Sequence, residues 1–360
     1  ELVPPSTIFA DATVQGRHVA LERAARHNAI ERFAAEQGAK DQILFLNFSS
    51  WLLDERVLEP GLIEATCDTV GLDPRRVAIE IVEASVRNLE SIRLFAERNR
   101  SAGFVICLDD FGKEHSNLQR VPLVRPDIIK IDRSIVNGVA DDVYKHSVLR
   151  SVVYLSRVSG ALALAEGVER YEDLLLCARE GVDLTQGFLV GRPQPSVDES
   201  EGVASESLLE FMPPLQRKLA ADLRSRVDYH SEVYERIRWY VNRTSDSDKN
   251  GWEAVLRELL RSGGDIECAY LVRPDGVQVT ETVFADGVTL LDDRAFFNPA
   301  RPGDSHALKE YIYGLVTVGQ DRFLTDRYVS MASGRSVRTL SMRVSDDANA
   351  GILCVDLVRE

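Results

Sequence analysis

Six short apolar runs between residues 43 and 186 each end in a polar side chain that can bind a metal ion or transfer a proton. In chain order these polar residues are Asn47, Glu80, the pair Asp109 and Asp110, Lys130, Glu166 and Gln186. Carboxylate and amide oxygens are the hard ligands that Mg²⁺ and Mn²⁺ prefer. The adjacent carboxylates Asp109 and Asp110 would bridge two such ions, which lie about 3.5–4 Å apart in two-metal sites. The set therefore indicates chemistry on a phosphate ester.

Lys130 and Glu166 are the residues of this set that would serve the reaction itself. A lysine ammonium among carboxylates would hold the attacking water or stabilise the negative charge that develops on the phosphate. Glu166 fits two roles, as a ligand of a second ion or as the general base that takes the proton of the water. Taken singly, a carboxylate at a strand end is more often a solvated loop residue or a helix cap, and a lysine such as Lys130 is more often a surface residue. Asn47 alone could be a turn residue. The recurrence of one pattern in six runs favours a common site.

The spacing of the runs predicts the elements that position these side chains. Short apolar runs separated by longer amphipathic stretches are typical of parallel strands alternating with helices, joined by right-handed crossovers. Helical patterns occupy residues 20–36, 89–99, 143–157 and 171–180. In a (β/α) barrel the active site lies at the carboxyl ends of the strands, where the polar residues stand here. We therefore predict an α/β fold with a TIM-like barrel over residues 1–198.

The remainder of the chain predicts a second, smaller domain. Residues 193–207 are rich in Ser, Glu, Gly and Pro, which indicates a linker. Residues 214–241 carry an apolar stripe with helical spacing, which predicts a long helix. This helix either lies on its own domain or pairs with a second copy of itself. A helix at 252–261 and antiparallel strands at 268–273, 277–283, 328–331, 337–344 and 351–358 follow. The predicted division is a barrel domain at 1–198, a linker and long connecting helix at 199–245, and an α+β domain at 246–360.

Bulk composition excludes several classes of protein. The net charge of −14 argues against DNA or RNA binding, although bound divalent cations would still admit a small anionic nucleotide. The five cysteines are scattered, which is typical of a reduced, cytoplasmic chain. We see neither a signal peptide nor an apolar stretch of the ~18 residues that a membrane span needs. The chain begins with Glu1 rather than Met, and we expect it to be a fragment of a longer one.

Four segments resemble the signature motifs of the EAL domain family. They are Asp109-Asp110-Phe111-Gly112, Lys130-Ile131-Asp132, the Ala165–Glu169 segment, and Gln186-Gly187-Phe188 continuing to Gly191-Arg192-Pro193. EAL domains are TIM-like barrels that hydrolyse the bacterial second messenger cyclic di-GMP to linear pGpG with two Mg²⁺ or Mn²⁺ ions. The resemblance thus implies a metal-dependent phosphodiesterase, and it implies a homodimer, to which the apolar stripe at 214–241 would contribute.

The resemblance also implies a role for each matching residue. Asn47, Glu80 and Asp109 would bind the first ion, and Asp109 and Asp110 the second, with Glu166 beside it. Lys130 would contact the water that attacks, and Gln186 would help to orient it. The remaining residues would shape the substrate pocket and its loops; they are Glu83, which anchors a loop, the pocket residue Glu169, and the motif residues Phe111, Gly112, Gly187, Arg192 and Pro193.

Two departures from the family pattern bear on activity. The Glu-Ala-Leu motif, whose glutamate is a metal ligand in the family, precedes the segment that Glu1 begins, so we expect an upstream first strand and do not assign Glu1 as that ligand. In the loop after the third run, Lys113-Glu114-His115-Ser116-Asn117 stands where the family has Thr-Gly-Tyr-Ser-Ser. This loop couples dimerisation to metal binding in the family, so the level of activity depends on it.

The C-terminal domain resembles a PAS-like or Cache-type sensor at residues 301–303, 326–330 and 351–357. Arg327, Tyr328 and Asp356 would line a pocket for a small ligand; a dimerisation module without a ligand fits the same pattern. For the whole chain the leading hypothesis is a cyclic di-GMP phosphodiesterase that this domain regulates or dimerises. The alternatives are a cyclic di-GMP receptor with little or no turnover that signals through a protein partner, and a scaffold that binds partners but no nucleotide.

Overall fold

A computed structural model describes residues 3, 5–36, 42–48, 61–82, 89–113, 118–243, 249–290, 299–344 and 351–358. The chain divides into two compact units, Glu1–Ala220 and Ala221–Glu360. No helix among the described residues is both long and apolar enough to cross a membrane. The helices of the first unit are α1 (Pro5–Val14), α2 (His18–Ala35), α3 (Leu62–Val70), α4 (Leu89–Ser101), α5 (Arg120–Val124), α6 (Arg133–Val136), α7 (Val143–Ser159), α8 (Tyr171–Glu180) and the first part of α9 (Val197–Asn242).

Six parallel strands form the sheet of the first unit, in the order of the sequence from β1 to β6. Their bounds are Leu44–Phe48, Val77–Val82, Val105–Phe111, Ile128–Ile131, Leu162–Ala165 and Leu184–Thr185. The alternation of strands and helices, and with it the α/β class, is confirmed. The four predicted helices agree with α2, α4, α7 and α8 to within two residues at each end. The agreement is close because capping residues set where these helices begin and end. For example, the Asp142 side chain accepts two backbone N–H groups at the start of α7, and Gly160 ends that helix in the left-handed conformation.

The two faces of this sheet differ in character. One face carries Ile79, Ile81, Ile106, Leu108, Ile129 and Ile131, all at most 1% exposed, in the main core with the helices. The other face carries a small apolar cluster of Cys107, Ile128 and Leu164. Because side chains alternate along a strand, Glu80, Asp109 and Lys130 share this second face. The sheet therefore separates an apolar face under the helices from a face that becomes polar toward the carboxyl ends of the strands.

The strand ends differ slightly from the prediction. Asn47, Glu80, Asp109, Asp110 and Lys130 lie inside their strands, and only Glu166 and Gln186 follow theirs. The strands extend further because pairing continues past the polar residue: Ile81 of β2 pairs with Leu108 of β3, and Phe48 of β1 pairs with Ile81. The polar residues are consequently held by the hydrogen-bond ladder of the sheet.

The predicted linker at 193–207 is wrong for its larger part, because α9 begins at Val197. Asp198 and Glu199 lie in the first turn, where their charge complements the helix dipole, and the Ser196 hydroxyl accepts the backbone N–H of Glu199. These residues start a helix, although in composition they are typical of a loop. The domain bounds at 198 and 245 themselves stay a prediction.

The second unit consists of the C-terminal part of α9, α10 (Lys249–Arg261), α11 (Glu310–Val318) and a sheet of six strands. The strands are β7 (Ile266–Val272), β8 (Val283–Phe284), β9 (Arg322–Leu324), β10 (Tyr328–Val329), β11 (Ser336–Arg343) and β12 (Ile352–Leu357). Their order is β10-β11-β12-β7-β8 with β9 on β11. All pairings are antiparallel, as predicted from the short connections.

Two strands of this unit are much shorter than predicted, and the one expected at 328–331 ends at Val329. A returning strand was expected at 277–283, and only β8 at its end is regular, preceded by an isolated bridge between Val272 and Gln278. Side chains replace the ladder here: the Thr280 hydroxyl accepts the backbone N–H of Leu271, and the Gln278 amide donates to Thr280 O. Polar side chains that bond to nearby backbone compete with strand pairing in this way.

Candidate metal and active site

A β-bulge in β3 places two adjacent carboxylates at the site. Leu108 pairs with Ile129 and Phe111 with Ile131, so β3 has one residue more than β4 across this stretch. Asp109 lies on the polar face by alternation, and in a regular strand Asp110 would point away from it. The bulge and the left-handed backbone of Asp110, with φ of 56°, break that alternation. Carboxylate oxygens of Asp109, Asp110 and Glu166 consequently lie within 4.8 Å of one another.

Lys130 lies at the centre of the carboxylates. Its Nζ is 2.7 Å from Glu80 Oε1, 2.9 Å from Asp109 Oδ1 and in close contact with Glu166 Oε1. The lysine is 4% exposed, and Glu80 and Asp109 are 4% and 8% exposed. An ammonium group has three N–H donors, and each of the three can meet one carboxylate. A buried lysine with three carboxylates is a compact charge cluster with a net negative charge.

Burial and mutual attraction shift the pKa values in this cluster. Burial raises the pKa of Glu80 and of Glu166, and the positive charge of Lys130 offsets part of that increase. Burial alone would lower the pKa of Lys130, but the negative charges of Asp109 and Glu80 outweigh it and raise that pKa above its usual value. Lys130 therefore stays protonated, and Glu166 becomes a stronger base than an exposed glutamate.

The donor set fits divalent cations. Asp109, Asp110 and Glu166 offer oxygen ligands within 4.8 Å of one another, and such hard donors are suited to Mg²⁺, Mn²⁺ or Ca²⁺. Burial raises the pKa of Asp110, and the charge of Asp109 raises it further. Neighbouring carboxylates repel each other when both are ionised, and this repulsion raises the pKa. A bound cation offsets the repulsion and stabilises the ionised forms. Lys113 supplies part of that charge, with its Nζ 3.3 Å from Asp110 Oδ2.

Gly112 follows the bulge in a conformation that a side chain would not tolerate. Its φ is 96°, and a Cβ at this position would lie 2.1 Å from Ile135 Cδ1 of α6. The chain therefore turns tightly against α6 directly after the two aspartates.

The variant Gly112→Ala is expected to lose about 2–4 kcal/mol of unfolding free energy, the sum of a left-handed alanine and an overpacked contact. Urea unfolding followed by circular dichroism measures this loss. Gly160→Ala is the matched control, because Gly160 has φ of 78° with no atom within 4 Å of the added Cβ, and it should lose only about 1–2 kcal/mol. Equal losses in both variants would contradict a role for the contact with Ile135.

The structure brings several of the other predicted residues to the same edge of the sheet. Asn47 pairs with Glu80 in the register of β1 and β2. Asn47 is exposed to solvent. The backbone N–H of Gln186 donates to Ala165 O over 2.8 Å, which places Gln186 next to the strand that ends before Glu166. Gly187 lies against the backbone of Val168, where a Cβ would be 2.2 Å from Val168 O. No side-chain contact links Asn47 or Gln186 to the carboxylates among the described residues.

The rest of the predicted set lies around this edge or outside it. Phe111 is buried in the main core, whereas Glu169, Arg192 and Pro193 are exposed. The guanidinium of Arg192 lies 4.3 Å from the ring centre of Phe188. The loop-anchoring residue Glu83 and the non-consensus residues 114–117 lie outside the described residues, so their expectations stay predictions.

Sequence reasoning missed two features near the site. Asp132, at 4% exposure, caps α6 by accepting the backbone N–H of Ser134, and these hydrogen bonds outweigh burial and lower its pKa. A cavity of about 400 Å³ also opens beside Asn47. Its lining residues are Phe9, Thr13, His18, Glu22, Ala25, Arg26, Phe45, Leu46 and Asn47. Two of these residues, Glu22 and Arg26, form an i, i+4 ion pair of 3.0 Å on α2.

The three residues predicted for a sensor pocket do not all lie together. The Tyr328 hydroxyl reaches Thr339 Oγ1 at 2.5 Å and Asp356 Oδ1 at 3.4 Å. Arg327 instead donates to Ser336 Oγ over 3.2 Å. Ser336 is the neighbour of Val337, the partner of Tyr328, and neighbouring residues of a strand point to opposite faces. The bond to Ser336 therefore places Arg327 on the other face of the sheet from Tyr328 and Asp356. Burial raises the pKa of Asp356 to about 6.

Comparison with known proteins gives one family for the first unit. The EAL domain model matches residues 1–193. A protein of Escherichia coli strain K12 named probable cyclic di-GMP phosphodiesterase PdeA is 34% identical over 128 residues, which are 35% of this chain and 18% of that protein. The chain thus spans about a fifth of the length of this relative.

A second relative covers most of the chain. The uncharacterised EAL-domain protein YkuI of Bacillus subtilis strain 168 is 24% identical over 328 residues, which are 88% of this chain and 78% of YkuI. The crystal structure of YkuI, determined in complex with its substrate c-di-GMP and calcium, matches with a TM-score of 0.70 over 91% of this chain and 80% of that one. At this identity the likeness shows the fold.

Proposed function

The chain belongs to the EAL domain family, and from this membership we propose that it hydrolyses cyclic di-GMP to linear pGpG with two divalent cations, Mg²⁺ or Mn²⁺. The observation that carries the proposal is the group of Asp109, Asp110 and Glu166 oxygens within 4.8 Å of one another, next to the buried ammonium of Lys130. The names of relatives support it, since PdeA is named a probable cyclic di-GMP phosphodiesterase and YkuI was crystallised with c-di-GMP and calcium.

Each residue of the cluster has a task in this proposal. Asn47, Glu80, Asp109 and Asp110 would hold the ions, which when bound supply a water of lowered pKa and offset the charge of the phosphate. Lys130 would orient the water through one N–H, for which one of its three carboxylate contacts must open. Glu166 would take the proton of the water as the new P–O bond forms and the bond to the leaving ribose oxygen breaks. Gln186 would orient the water from the end of β6.

Several finer expectations remain part of this proposal. The six-stranded parallel sheet would belong to a TIM-like barrel, with the domain division at 198 and 245 that the sequence predicts. The second unit, with its antiparallel sheet flanked by α10 and α11, would be a PAS-like or Cache-type sensor that regulates or dimerises the enzyme. A homodimer and a cytoplasmic location are expected as well. The small ligand of the sensor would lie on the sheet face of Tyr328 and Asp356.

Direct hydrolysis tests the proposed activity. The chain is incubated with cyclic di-GMP and Mn²⁺ or Mg²⁺, and the linear product is quantified by chromatography. Turnover that stops on addition of EDTA and resumes with excess Mn²⁺ is the expected result. Calorimetric binding of the dinucleotide without turnover would instead indicate a receptor, and no binding at all would indicate a scaffold.

The receptor is a second candidate because of one specific contact. Lys113 stands where the family has threonine, and its ammonium lies 3.3 Å from Asp110 Oδ2. A cation in this position competes with a metal ion for Asp110. The chain would then hold its second ion weakly, and it would bind cyclic di-GMP more readily than it hydrolyses it.

The variant Lys113→Ala is expected to bind Mn²⁺ about 5-fold more tightly, because removing an exposed ion pair of about 1 kcal/mol frees Asp110 for the ion. Isothermal titration calorimetry with MnCl₂ measures the change. Lys218→Ala removes the same charge from an exposed position on α9 and should leave the affinity unaltered. An equal gain in both variants would reduce the effect to net charge, and no gain in Lys113→Ala would remove the competition argument.

A further inference from the structure

Four basic side chains of the second unit meet between α9 and the edge of the sheet. Arg226 and His230 come from α9, Arg327 directly precedes β10, and Arg338 lies in β11. We call these four residues the basic cluster. The basic cluster belongs to the second unit and is not part of the proposed hydrolysis.

The sequence spacing and the strand register bring the cluster together. Arg226 and His230 are four residues apart and therefore share one face of α9. Tyr328 pairs with Val337. Arg327 directly precedes Tyr328 and Arg338 directly follows Val337, so the two arginines lie at the same end of this pair. The hydrogen bond from Arg327 to Ser336, 3.2 Å long, places Arg327 on the face that also carries Arg338.

The helix packs on that same face of the sheet. Tyr229, Val233 and Ile237 of α9 share an apolar core with Leu340 and Met342 of β11. Arg338 precedes these two strand residues by two and four positions, and alternation puts all three on one face. Arg226 and His230 are thus held against the arginines of the sheet by an apolar core.

Three nitrogen atoms of the cluster are buried and have no hydrogen-bond partner among the described residues. They are Arg226 Nε, His230 Nε2 and Arg327 Nη2. A buried polar atom without a partner costs about 1–3 kcal/mol, and more when the group is charged. Burial lowers the pKa of His230, and the positive charges of Arg338, Arg226 and Arg327 lower it further.

Acidic side chains offset little of the positive charge of the basic cluster within the described part of the unit. Asp326 Oδ1 lies 3.8 Å from Arg338 Nη2, but the aspartate side chain is 83% exposed. An exposed pair of this kind contributes little, and two guanidinium groups held close together repel each other. Arg338 Nε donates to the Thr325 carbonyl over 2.9 Å. The donors that lack an acceptor among the described residues are therefore on the other members of the cluster, at Arg226 Nε and Arg327 Nη2.

We propose that the basic cluster is a binding site for a small oxyanion, a phosphate or carboxylate group that bridges α9 and the β10–β11 edge. Guanidinium groups present paired N–H donors that match the two oxygens of such a group. The anion would accept from the unpartnered nitrogens and relieve the repulsion between Arg327 and Arg338. In this assignment Arg327 acts with α9, apart from Tyr328 and Asp356.

Calorimetry on the full chain in EDTA tests the proposal, with sodium phosphate and sodium acetate as probes and sodium chloride at matched ionic strength as reference. Wild type is expected to bind phosphate or acetate saturably, and the stronger of the two identifies the preferred oxyanion. Arg327→Gln and Arg226→Gln should each weaken that binding by about 10-fold or more, the usual effect of losing a charged hydrogen bond. Arg273→Gln is the matched control, because Arg273 pairs with the exposed Asp275 at the far end of β7.

The thermal stability of the same variants separates binding from a structural role. In chloride alone, Arg327→Gln should unfold at the same temperature as wild type or higher, because the repulsion is gone. In the preferred oxyanion, wild type and Arg273→Gln should gain stability and Arg327→Gln should not. The proposal is overturned if wild type binds neither probe in the millimolar range, or if all variants gain equally, which is the behaviour of non-specific salt effects.

Discussion

Replacing Glu166 by alanine is expected to lower the rate of cyclic di-GMP hydrolysis by about 10²-fold or more, the usual scale for loss of a general base. Glu166 follows β5, its side chain is 18% exposed, and it contacts the ammonium of Lys130. Burial raises its pKa, which improves it as an acceptor for the proton of a water. The measurement is the initial rate of pGpG formation at saturating Mn²⁺.

Two further variants make this test specific. Glu166→Gln keeps the size of the side chain and a hydrogen-bonding group but cannot take a proton, so it should be as slow as Glu166→Ala if the role is that of a base. Glu172→Gln removes a carboxylate that is 63% exposed in the first turn of α8, and it should retain the wild-type rate. A Glu166→Ala rate equal to wild type would remove Glu166 from the mechanism.

Replacing Lys130 by methionine is expected to cost about 3–5 kcal/mol of unfolding free energy in metal-free buffer, the range for breaking a buried ion pair. The substitution leaves Glu80 and Asp109, at 4% and 8% exposure, without the cation that lies 2.7 Å and 2.9 Å from them. Methionine has a similar length, so the loss reflects charge more than volume. Urea unfolding in EDTA measures the effect.

Addition of Mn²⁺ distinguishes a charge effect from a packing defect. An ion held by the same carboxylates would replace the missing positive charge, so Mn²⁺ should stabilise Lys130→Met by more than it stabilises wild type. Lys145→Met is the matched control, since Lys145 Nζ donates to the Asn137 carbonyl over 2.7 Å and forms no ion pair with a carboxylate among the described residues. It should lose about 1 kcal/mol and show no extra response to Mn²⁺. Equal responses of the two variants would contradict the charge cluster.

Most of the framework around the site was predictable from sequence. The strand–helix alternation follows from local hydrophobic pattern, and the caps at Asp142 and Gly160 are local signals as well. Glu80, Lys130 and Glu166 could be assigned to one edge of the sheet because parallel strands all end at the same edge. The wrong prediction of a linker also concerned local sequence. Residues 197–207 have the composition of a loop, yet the acidic side chains in the first turn and the Ser196 hydroxyl favour the start of α9.

The C-terminal unit shows where local pattern is insufficient. Arg327, Tyr328 and Asp356 were predicted to share a pocket, but the register of β10 and β11 sends Arg327 to the opposite face. Register depends on pairing between distant segments, and a shift by one residue reverses which face each side chain takes. The basic cluster with Arg226 and His230 could not be predicted for the same reason.

By itself the sequence determined the α/β architecture of the first unit, its family, and the identity of the polar residues at the strand ends, because these depend on short-range spacing and on side-chain type. Only the tertiary structure decided how the carboxylates combine. The extra residue in β3 and the left-handed backbone of Asp110 turn two neighbouring side chains, which a regular strand would separate, toward Glu166. Lys130 meets three carboxylates from three different strands or strand ends, and contacts between residues so far apart in the chain arise only when the sheet is assembled.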